Sequence, residues 1–516
     1  MIIPSPWPTL KPYPEEPLVA WLEGACWRHG DRVAFTDRDG RAYSFRQAFT
    51  LARQIGRFLQ DEGVALGDRV AVVSPNSSFL VIAYLGVLQA GGIVLPLDPL
   101  LKEGEMSHFL ADSGVRAALV AGELMARVES LKGELAELEG VYALEEIERR
   151  ARELPPEPRP QAVDPAEGAI VFYTGGTTGA RKGAIRSHRD SIAALRQSML
   201  ARGTNAYATF LVSIPLYHAL GLVSMGLGAF AVGATQVVTP RFDAEEAPAL
   251  IERHRVTHTS LAPPAVVTLT EAAERGHYDL SSLSLIMSGG AGLPPDQLER
   301  AQRALHCVIA DSYGTSETSL INHQLPYRFK TGSVGPPVAD TVAKLVALDT
   351  DEEVGIGELG EILIQGPQVF KGYWRNPQAT AEAFTTDGWF RTGDIARVDE
   401  EGYFYIVDRK KEVIKYKGYQ VTPAELEVVL LEHPAVREAV VIPKKDPRVG
   451  EVPKALVVLR PGAQAAPEEL KKELMAFVEA RVAPYKKVRE VEFIDAIPRS
   501  PLGKVLRREL VDREQT

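Results

Sequence analysis

The segment Tyr173–Gly183 reads YTGGTTGARKG and directly follows the apolar run AIVF, which is typical of a buried strand. Its glycines allow backbone N–H groups to turn toward an anion, its threonine hydroxyls add donors, and Lys182 adds positive charge. This composition predicts a phosphate-binding loop, with a flexible surface loop as the alternative. The segment does not fit the P-loop of nucleoside triphosphatases, because Lys182 is followed by Gly183 and not by Ser or Thr.

The same segment resembles the signature loop of the adenylate-forming (ANL) superfamily, which includes acyl- and aryl-CoA synthetases, firefly luciferase and peptide-synthetase adenylation domains. Two positions depart from that loop: Gly175 stands where it usually has Ser, and Arg181 where it usually has Pro. The resemblance implies that the loop binds the phosphates of ATP and that Thr177 and Lys182 act in catalysis. The residues expected to contact the nucleotide here are Thr174, Gly175, Gly176, Thr177, Thr178, Gly179 and Lys182.

Two blocks in the middle of the chain follow in the order of this superfamily. The segment Ser288–Gly292 (SGGAG) resembles the block that lines adenine, and Asp311–Glu317 (DSYGTSE) resembles the next block. The second segment is equally typical of an ordinary turn at the end of a strand when it is read alone. The resemblance implies that Tyr313 stacks on adenine, that Ser316 faces the α-phosphate and that Glu317 binds Mg²⁺. The other expected nucleotide contacts in these two blocks are Gly289, Gly290, Ala291, Asp311, Ser312 and Gly314.

Four later blocks complete the resemblance, which covers the chain from about residue 20 to residue 510. Read alone, Asp394 is also typical of a charged turn residue, and the run around Lys415 and Gly418, like Lys504, is typical of a solvated surface. The resemblance implies that Asp394 in WFRTGD contacts the ribose and that Arg409 in DRKK contacts the ribose or a phosphate. It also implies that the thiol approaches beside Lys415 and Gly418 in KYKGYQV, and that Lys504 in PRSPLGK is a catalytic lysine. Acidic residues suit ribose because a carboxylate can accept two hydrogen bonds from a vicinal diol.

The reaction that the resemblance implies has two halves. A carboxylate attacks the α-phosphorus of ATP, pyrophosphate leaves, and the acyl group of the acyl-adenylate then passes to a thiol, that of coenzyme A. We expect an N-terminal AMP-binding domain at 1–408 and a mobile C-terminal domain at 409–516. Rotation near Lys411 would withdraw Lys504 and bring in the Lys415–Gly418 loop.

The acid is expected to bind beside Pro215–Gly221 (PLYHALG), which resembles the block that gates the acyl site. His218 either closes the tunnel or contacts the acid, and a core histidine paired with a backbone carbonyl is the alternative. Gly221, Gly226 and Gly228 leave room for an apolar acyl or aryl tail, so fatty and aromatic acids both fit. Asp311 keeps amino-acid activation open as an alternative, because peptide-synthetase domains use an Asp near this turn.

Apolar runs that alternate with helical patterns predict an α/β fold. The segments RVAVVS and IVLPLD each contain a continuous apolar run, which is typical of parallel sheets covered by helices. After Val334, short alternating runs between glycines predict hairpins of a small β-rich subdomain. The last hundred or so residues predict a small α+β C-terminal domain.

Composition narrows the functional classes. The 516 residues carry a net charge of −10, which argues against nucleic acid as a partner, and the two cysteines fit a reducing compartment. We expect no secretory signal, no transmembrane segment, a cytoplasmic location and a possible homodimer. The alternatives to a CoA ligase are a stand-alone adenylation enzyme that loads an acyl carrier protein or ligates an amine, a luciferase-like oxygenase, and a non-catalytic nucleotide-binding module.

Overall fold

The computed structural model describes residues 1–174, 182–289, 293–417, 419–446, 448–461, 467–500 and 505–515. The chain divides into two compact units. The larger comprises Pro4–Val342 and Gln365–Phe390, and the smaller comprises Met1–Ile3, Ala343–Ile364 and Arg391–Thr516. The smaller unit thus joins residues 391–408 to the C-terminal residues, and the predicted domain boundary between 408 and 409 stays a prediction.

The first sheet of the larger unit is parallel at its centre and antiparallel at one edge. Its central strands are apolar runs that are buried on both faces, as in Arg69–Val73, where Val70 to Val73 are all inaccessible. In spatial order, its described strands are Gly372–Tyr373, Lys182–Ser187, Gly168–Thr174, Ile93–Leu97, Arg69–Val73, Val115–Val120 and Gly140–Ala143. The strand Lys182–Ser187 is antiparallel to both of its neighbours.

The second sheet of the larger unit has the same character, with parallel strands inside and antiparallel strands at both edges. In spatial order, its described strands are Asn322–His323, Val308–Tyr313, Leu285–Gly289, His258–Leu261, Thr209–Val212, Thr235–Val238, Val33–Asp37 and Ala42–Ser44. Parallel neighbours place their carboxyl ends at one edge of a sheet, where ligands of open α/β sheets bind.

Helices cover these sheets, and several begin at side-chain caps. Ser77 caps a helix that is buried almost all round, and Ser44 and Ser187 form capping boxes with Gln47 and Asp190. The described α-helices of this unit are Leu18–His29, Phe45–Asp61, Ser78–Gln89, Glu103–Ser113, Met125–Glu129, Leu144–Ala151, His188–Ala201, Gly228–Val232, Ala247–His254, Pro263–Arg275, Pro295–Leu305 and Pro377–Glu382. A π-helix, Leu220–Leu227, and 3₁₀ turns at Gly122–Leu124 and Lys132–Glu134 complete them.

The smaller unit contains two sheets. The first has, in order, the strands Ile2–Pro4, Val342–Val346, Gly360–Gln365, Phe390–Val398 and Phe404–Arg409. In the second, the order is Tyr419–Val421, Ile414–Tyr416, Gly450–Leu459 and Val436–Asp446, with Glu490–Phe493 also paired to Gly450–Leu459. Helices Pro423–Leu431, Pro467–Glu479 and Arg507–Gln515 and the 3₁₀ turn Lys410–Glu412 belong to this unit.

The predicted fold class is confirmed: the protein is α/β, with parallel sheets between helices, a β-rich part after Val334 and a smaller α+β C-terminal part. The proline-rich stretch 154–160 contains no helix or strand. Among the described residues, every helix falls short of the length or the apolarity that a membrane crossing requires.

Candidate active site

A chain of contacts links a cation, an aromatic ring and a carboxylate in the larger unit. The antiparallel strands Gly168–Thr174 and Lys182–Ser187 place Thr174 opposite Lys182. The Lys182 ammonium lies 5.0 Å from the centre of the Tyr373 ring, and the Tyr373 hydroxyl donates a 2.9 Å hydrogen bond to Glu317 Oε1. Lys182, predicted to bind the phosphates, and Glu317, predicted to bind Mg²⁺, are therefore brought together through Tyr373.

Tyr373 is a site residue that the motifs did not reveal. Burial, followed by the charge and hydrogen bond of Glu317, raises the pKa of Tyr373 well above its ordinary value, so its phenol remains a donor. It reaches the site because Gly372–Tyr373 pairs with Ile185 and Ala184 on the strand that carries Lys182. Its signal in the sequence is only a glycine–aromatic pair in a loop-rich stretch.

The predicted adenine blocks lie at the carboxyl ends of two neighbouring parallel strands. Gly289 on Leu285–Gly289 is opposite Ser312 on Val308–Tyr313, and Ser288 is opposite Asp311. Tyr313 ends the second strand, and burial raises the pKa of Asp311 to about 6. Such an edge of a parallel sheet is where nucleotides bind in α/β folds.

The turn after Tyr313 depends on Gly314. A Cβ atom built on Gly314 would lie 1.6 Å from the carbonyl oxygen of Ser319, so no side chain fits there. The Ser319 N–H donates to Thr315 O at 2.8 Å, and Ile321 N–H donates to Tyr313 O at 2.8 Å. These bonds fix the course of the backbone that carries Ser316 and Glu317, both of which are partly buried.

Arg186 ties this turn to the strand that carries Lys182. Its side chain is inaccessible and pairs with Asp190 at 2.5 Å, while its Nη1 donates to Ser319 Oγ at 3.0 Å. Asp190 also accepts hydrogen bonds from the backbone and hydroxyl of Ser187, 2.6 Å each. Arg186 and Asp190 were not predicted, because a basic residue inside a strand gives no local sign of its partner.

The predicted acyl block is held by Asn76 and Asp98. Asn76 donates to Ile214 O at 2.7 Å and accepts from Leu216 N at 2.8 Å, and the Tyr217 hydroxyl is hydrogen-bonded to Asp98. Neither Asn76 nor Asp98 was predicted. Both follow strands of the first sheet, so they join the acyl block to its carboxyl edge.

His218 follows this turn. Its ring is partly buried and lies 4.8 Å from the Tyr217 ring, centre to centre. Burial lowers the pKa of His218 to about 4, so the imidazole is neutral at pH 7. A Cβ on Gly221 would lie 2.0 Å from the carbonyl oxygen of Pro215, which explains why glycine stands where the π-helix begins. Wide helices of this kind are frequent at functional sites.

In the smaller unit, the predicted ribose carboxylate pairs with a predicted cation. Asp394 and Arg409 are opposite residues of antiparallel strands, and Arg409 Nε lies 3.1 Å from Asp394 Oδ1. Asp394 is buried, and its N–H donates to Thr392 Oγ1 at 3.1 Å. Lys415 is exposed on the strand Ile414–Tyr416.

Several predicted residues lie outside the described part of the chain. They are Gly175, Gly176, Thr177, Thr178, Gly179, Arg181, Gly290, Ala291, Gly418 and Lys504. Within the ranges that the structure describes, His, Cys, Asp and Glu form no group of three or more that could hold a metal ion alone. Glu317 fits a magnesium ion that is bound mainly by phosphate oxygens and water, which is how Mg²⁺ usually binds beside nucleotides.

Comparison with known proteins finds relatives that match nearly the whole chain. The family model described as AMP-binding enzyme matches residues 22–374, and AMP-binding enzyme C-terminal domain matches residues 425–504. A probable CoA ligase, CCL5, from Humulus lupulus is 34% identical over 94% of this chain and 90% of its own length. The long-chain-fatty-acid–CoA ligase of Bacillus subtilis (strain 168) is 34% identical over 99% of this chain and 97% of its own.

Solved structures agree as well. ATP-bound MatB from Rhodopseudomonas palustris superposes with a TM-score of 0.89 at 25% identity, covering 96% of this chain and 98% of that one. The o-succinylbenzoate CoA synthetase MenE of Bacillus subtilis, solved with its acyl-adenylate, gives a TM-score of 0.83 at 28% identity over 96% and 98% of the two chains. The match of a family model to most of the chain and the full-length relatives lead to one conclusion: this protein belongs to the AMP-binding enzyme family, the adenylate-forming superfamily.

Proposed function

We propose that the protein is an AMP-forming acid–CoA ligase. A carboxylate attacks the α-phosphorus of ATP, pyrophosphate leaves, and the thiol of coenzyme A then displaces AMP from the acyl-adenylate. The CoA ligases among the full-length relatives support this reaction. The observation that carries it is the contact chain of Lys182, Tyr373 and Glu317 beside the carboxyl ends of parallel strands.

Catalysis of the first step is mainly positioning and charge compensation, because negative charge grows on phosphoryl oxygens and no protein nucleophile is needed. We assign Lys182, Thr177 and Lys504 to those oxygens. Tyr373 keeps Glu317 in one orientation through its hydrogen bond. Glu317 would hold a magnesium ion that accompanies the triphosphate, and such an ion supplies positive charge beside the phosphates when it is bound.

The nucleoside is assigned to the remaining predicted residues. Tyr313 and Gly289 lie on adjacent strand ends, where a flat base can stack on the tyrosine ring and approach the glycine backbone. Asp394 is assigned to the ribose hydroxyls. Its ion pair with Arg409 supports this role, because a held carboxylate presents its oxygens in a fixed direction.

The acid is assigned to the surroundings of the π-helix Leu220–Leu227. Gly221 to Leu227 are all buried, and most of them are apolar, which suits an aliphatic or aromatic tail. His218 is neutral at pH 7 and therefore does not add a charge at the entrance of such a pocket. These features support a fatty or aromatic acid.

A basic cleft in the smaller unit supports coenzyme A as the acceptor. The cleft has a volume of about 330 Å³ and is lined by Tyr416, Lys444, Lys445, Asp446, Arg448, Val449, Val452, Arg489 and Glu490. Four of these side chains are cationic, which suits a phosphate-rich nucleotide. The cleft includes Tyr416, a member of the segment that the resemblance assigns to thiol access.

We also propose a hinge near Lys411 between domains at 1–408 and 409–516. Asp408 ends a strand, and its Oδ2 accepts a 3.0 Å hydrogen bond from the N–H of Ala424 in the first turn of the helix Pro423–Leu431. Arg507 pairs with Glu412 at 2.9 Å. Rotation about Lys411 would have to break the Asp408 contact, which would therefore favour one orientation of the small domain.

The test is a pyrophosphate-release screen over acids of graded length and aromaticity, with and without CoA. We expect release that depends on the acid, and thioester formation when CoA is added. Release without any acid, or no release with every acid, would reject the proposal. Thioester formation with a carrier protein but not with CoA would favour the stand-alone adenylation enzyme.

A further inference from the structure

Three side chains of the larger unit, Trp7, Arg202 and His323, carry buried polar atoms that lack partners. We call them the Arg202 cluster. Trp7 Nε1, Arg202 Nε, Arg202 Nη2 and His323 Nε2 are all shielded from solvent and have no hydrogen-bond partner in the described part of the chain. Buried polar groups are nearly always paired, so four such atoms in one region need an explanation.

The three side chains are neighbours. The rings of Trp7 and His323 meet edge to face, with their centres 6.4 Å apart. Trp7 also packs against the small apolar cluster of Ala201, Leu320 and Val338, and Ala201 is the residue before Arg202. The charge of Arg202 is close enough to affect the His323 ring. The three side chains therefore lie in one region, at the end of the helix His188–Ala201.

Arg202 is a buried cation, and three of its five N–H donors, those on Nε and Nη2, have no partner among the described residues. It is 5% exposed, and its Nη1 contacts Ser224 O at 3.4 Å and Met225 Sδ at 3.1 Å. Burial lowers the pKa of Arg202 to about 9, so it keeps its charge at neutral pH, and no described carboxylate contributes to that shift. A buried cation without a counter-charge is strongly destabilising.

The unpartnered edge of the Arg202 guanidinium, formed by Nε and Nη2, has a specific shape. Nε and Nη2 of a guanidinium present two nearly parallel N–H bonds, which match the two oxygens of a carboxylate. Trp7 Nε1 adds a third donor. His323 Nδ1 lies 2.8 Å from the carbonyl oxygen of Gln324, so Nδ1 carries the proton of the neutral ring and Nε2 is left with a lone pair. Three of the four unpartnered atoms are thus donors, which favours an anion.

The position of the cluster connects it with the candidate active site. His323 is the cross-strand partner of Ser312, which belongs to the predicted adenine block. On another side, Arg202 contacts Ser224 and Met225 of the π-helix assigned to the acyl tail. The cluster therefore adjoins both the nucleotide strand and the acyl helix within one unit.

We propose that the Arg202 cluster binds a second carboxylate at the far end of the acid, so that the substrate is a dicarboxylic acid with an aliphatic or aromatic middle. This inference rests on the proposed function and names its substrate class. The reacting carboxylate lies at the nucleotide, the apolar middle lies along the π-helix, and the distal carboxylate takes the free edge of Arg202. A buried water on that edge is the competing occupant.

The test compares pyrophosphate release by wild type with matched pairs of mono- and dicarboxylic acids of equal length. We expect wild type to favour the dicarboxylic member of the best pair by ~10-fold or more in kcat/KM, as bidentate charge-assisted contacts do. Arg202→Met should lower this ratio at least ~10-fold, and Trp7→Phe, which removes one N–H, about 3-fold. Arg189→Met is the matched control, because Arg189 lies on the same helix and pairs with Glu15 at the surface.

Thermal unfolding separates recognition from a structural role. If the guanidinium has no counter-charge until a ligand binds, Arg202→Met removes an uncompensated buried charge. In the absence of substrate, this variant should therefore unfold at the same temperature as wild type or at a higher one. If Arg202→Met unfolds at a lower temperature than wild type, the inference is overturned in favour of a buried water. The same holds if neither Arg202→Met nor Trp7→Phe changes the selectivity ratio. Acceptance of monocarboxylic acids alone would reject this inference and leave the ligase function standing, whereas failure with every acid would reject the function itself.

Discussion

Replacing Arg186 with methionine tests whether one buried ion pair supports the candidate active site. Arg186 is inaccessible, pairs with Asp190 and donates to Ser319 in the turn that carries Glu317. Methionine fills much of the same volume, so the substitution removes charge and hydrogen bonds and leaves little cavity. Asp190 keeps its hydrogen bonds from Ser187 but loses its counter-charge.

The expected loss of stability is large because the ion pair is buried. Removing one partner of a buried pair costs about 3–5 kcal/mol, because the remaining charge is left uncompensated. The lost hydrogen bond to Ser319 adds about 1 kcal/mol. Since a domain is stable by only about 5–15 kcal/mol, we expect Arg186→Met to lower the Tm by roughly 5–15 °C. We expect kcat/KM for ATP to fall by about 10-fold as the turn loosens, which corresponds to about 1.4 kcal/mol.

Two measurements check the reasoning: thermal unfolding and acid-dependent pyrophosphate release. Burial, its largest cause, already raises the pKa of Asp190, and the loss of Arg186 raises it further. A carboxyl whose pKa is higher in the folded state destabilises the fold above its unfolded pKa, so the deficit should shrink as the pH falls. The double variant Arg186→Met/Asp190→Asn should recover about half of the lost stability. A Tm within about 1 °C of wild type for the single variant, or no recovery in the double variant, would refute this account.

The remaining predictions concern the two half-reactions, the acyl block and CoA. Lys504→Ala should slow adenylation by at least ~100-fold and spare thioester formation from preformed acyl-AMP, whereas Gly418→Leu should do the reverse; loss of both half-reactions in either variant would contradict the hinge. Gly221→Ala should lower kcat/KM for the acid by ~10-fold with an unchanged KM for ATP, because its Cβ would collide with Pro215 O; an unchanged value would show that the turn adapts. Arg448→Ala should raise the KM for CoA by ~3–10-fold without affecting pyrophosphate release, and equal KM values would remove the basic cleft from CoA binding.

The apolar runs of the sequence predicted the central strands of the sheets, because a strand that is buried on both faces has an uninterrupted apolar run. RVAVVS and IVLPLD were predicted as strands, and the structure has Arg69–Val73 and Ile93–Leu97. The resemblance named Tyr313 and Gly289 as nucleotide contacts, and the structure has them on neighbouring parallel strands. These features depend on contacts that the local sequence itself determines.

The residues that support the candidate active site reach it through tertiary contacts, and such contacts leave no pattern in the local sequence. Tyr373 reaches Glu317 only because a distant two-residue strand pairs beside Lys182. Asn76 holds the acyl block from a turn about 140 residues away along the chain. The π-helix was also missed, because an apolar, glycine-containing segment reads the same whether its hydrogen bonds span four residues or five.

The wide helix Leu220–Leu227 has a consequence for how the acyl pocket can vary. The N–H of Gly228 bonds to Val223 O, five residues back, so each turn holds more backbone than an α-helical turn does. Deleting one residue would let this segment tighten to the α-helical pitch, and the side chains on the tightened turns would point in new directions. Ser224 and Met225 would then face other neighbours. Changes in chain length, and not only exchanges of large for small side chains, therefore offer a route by which enzymes built on this scaffold alter the acids they accept.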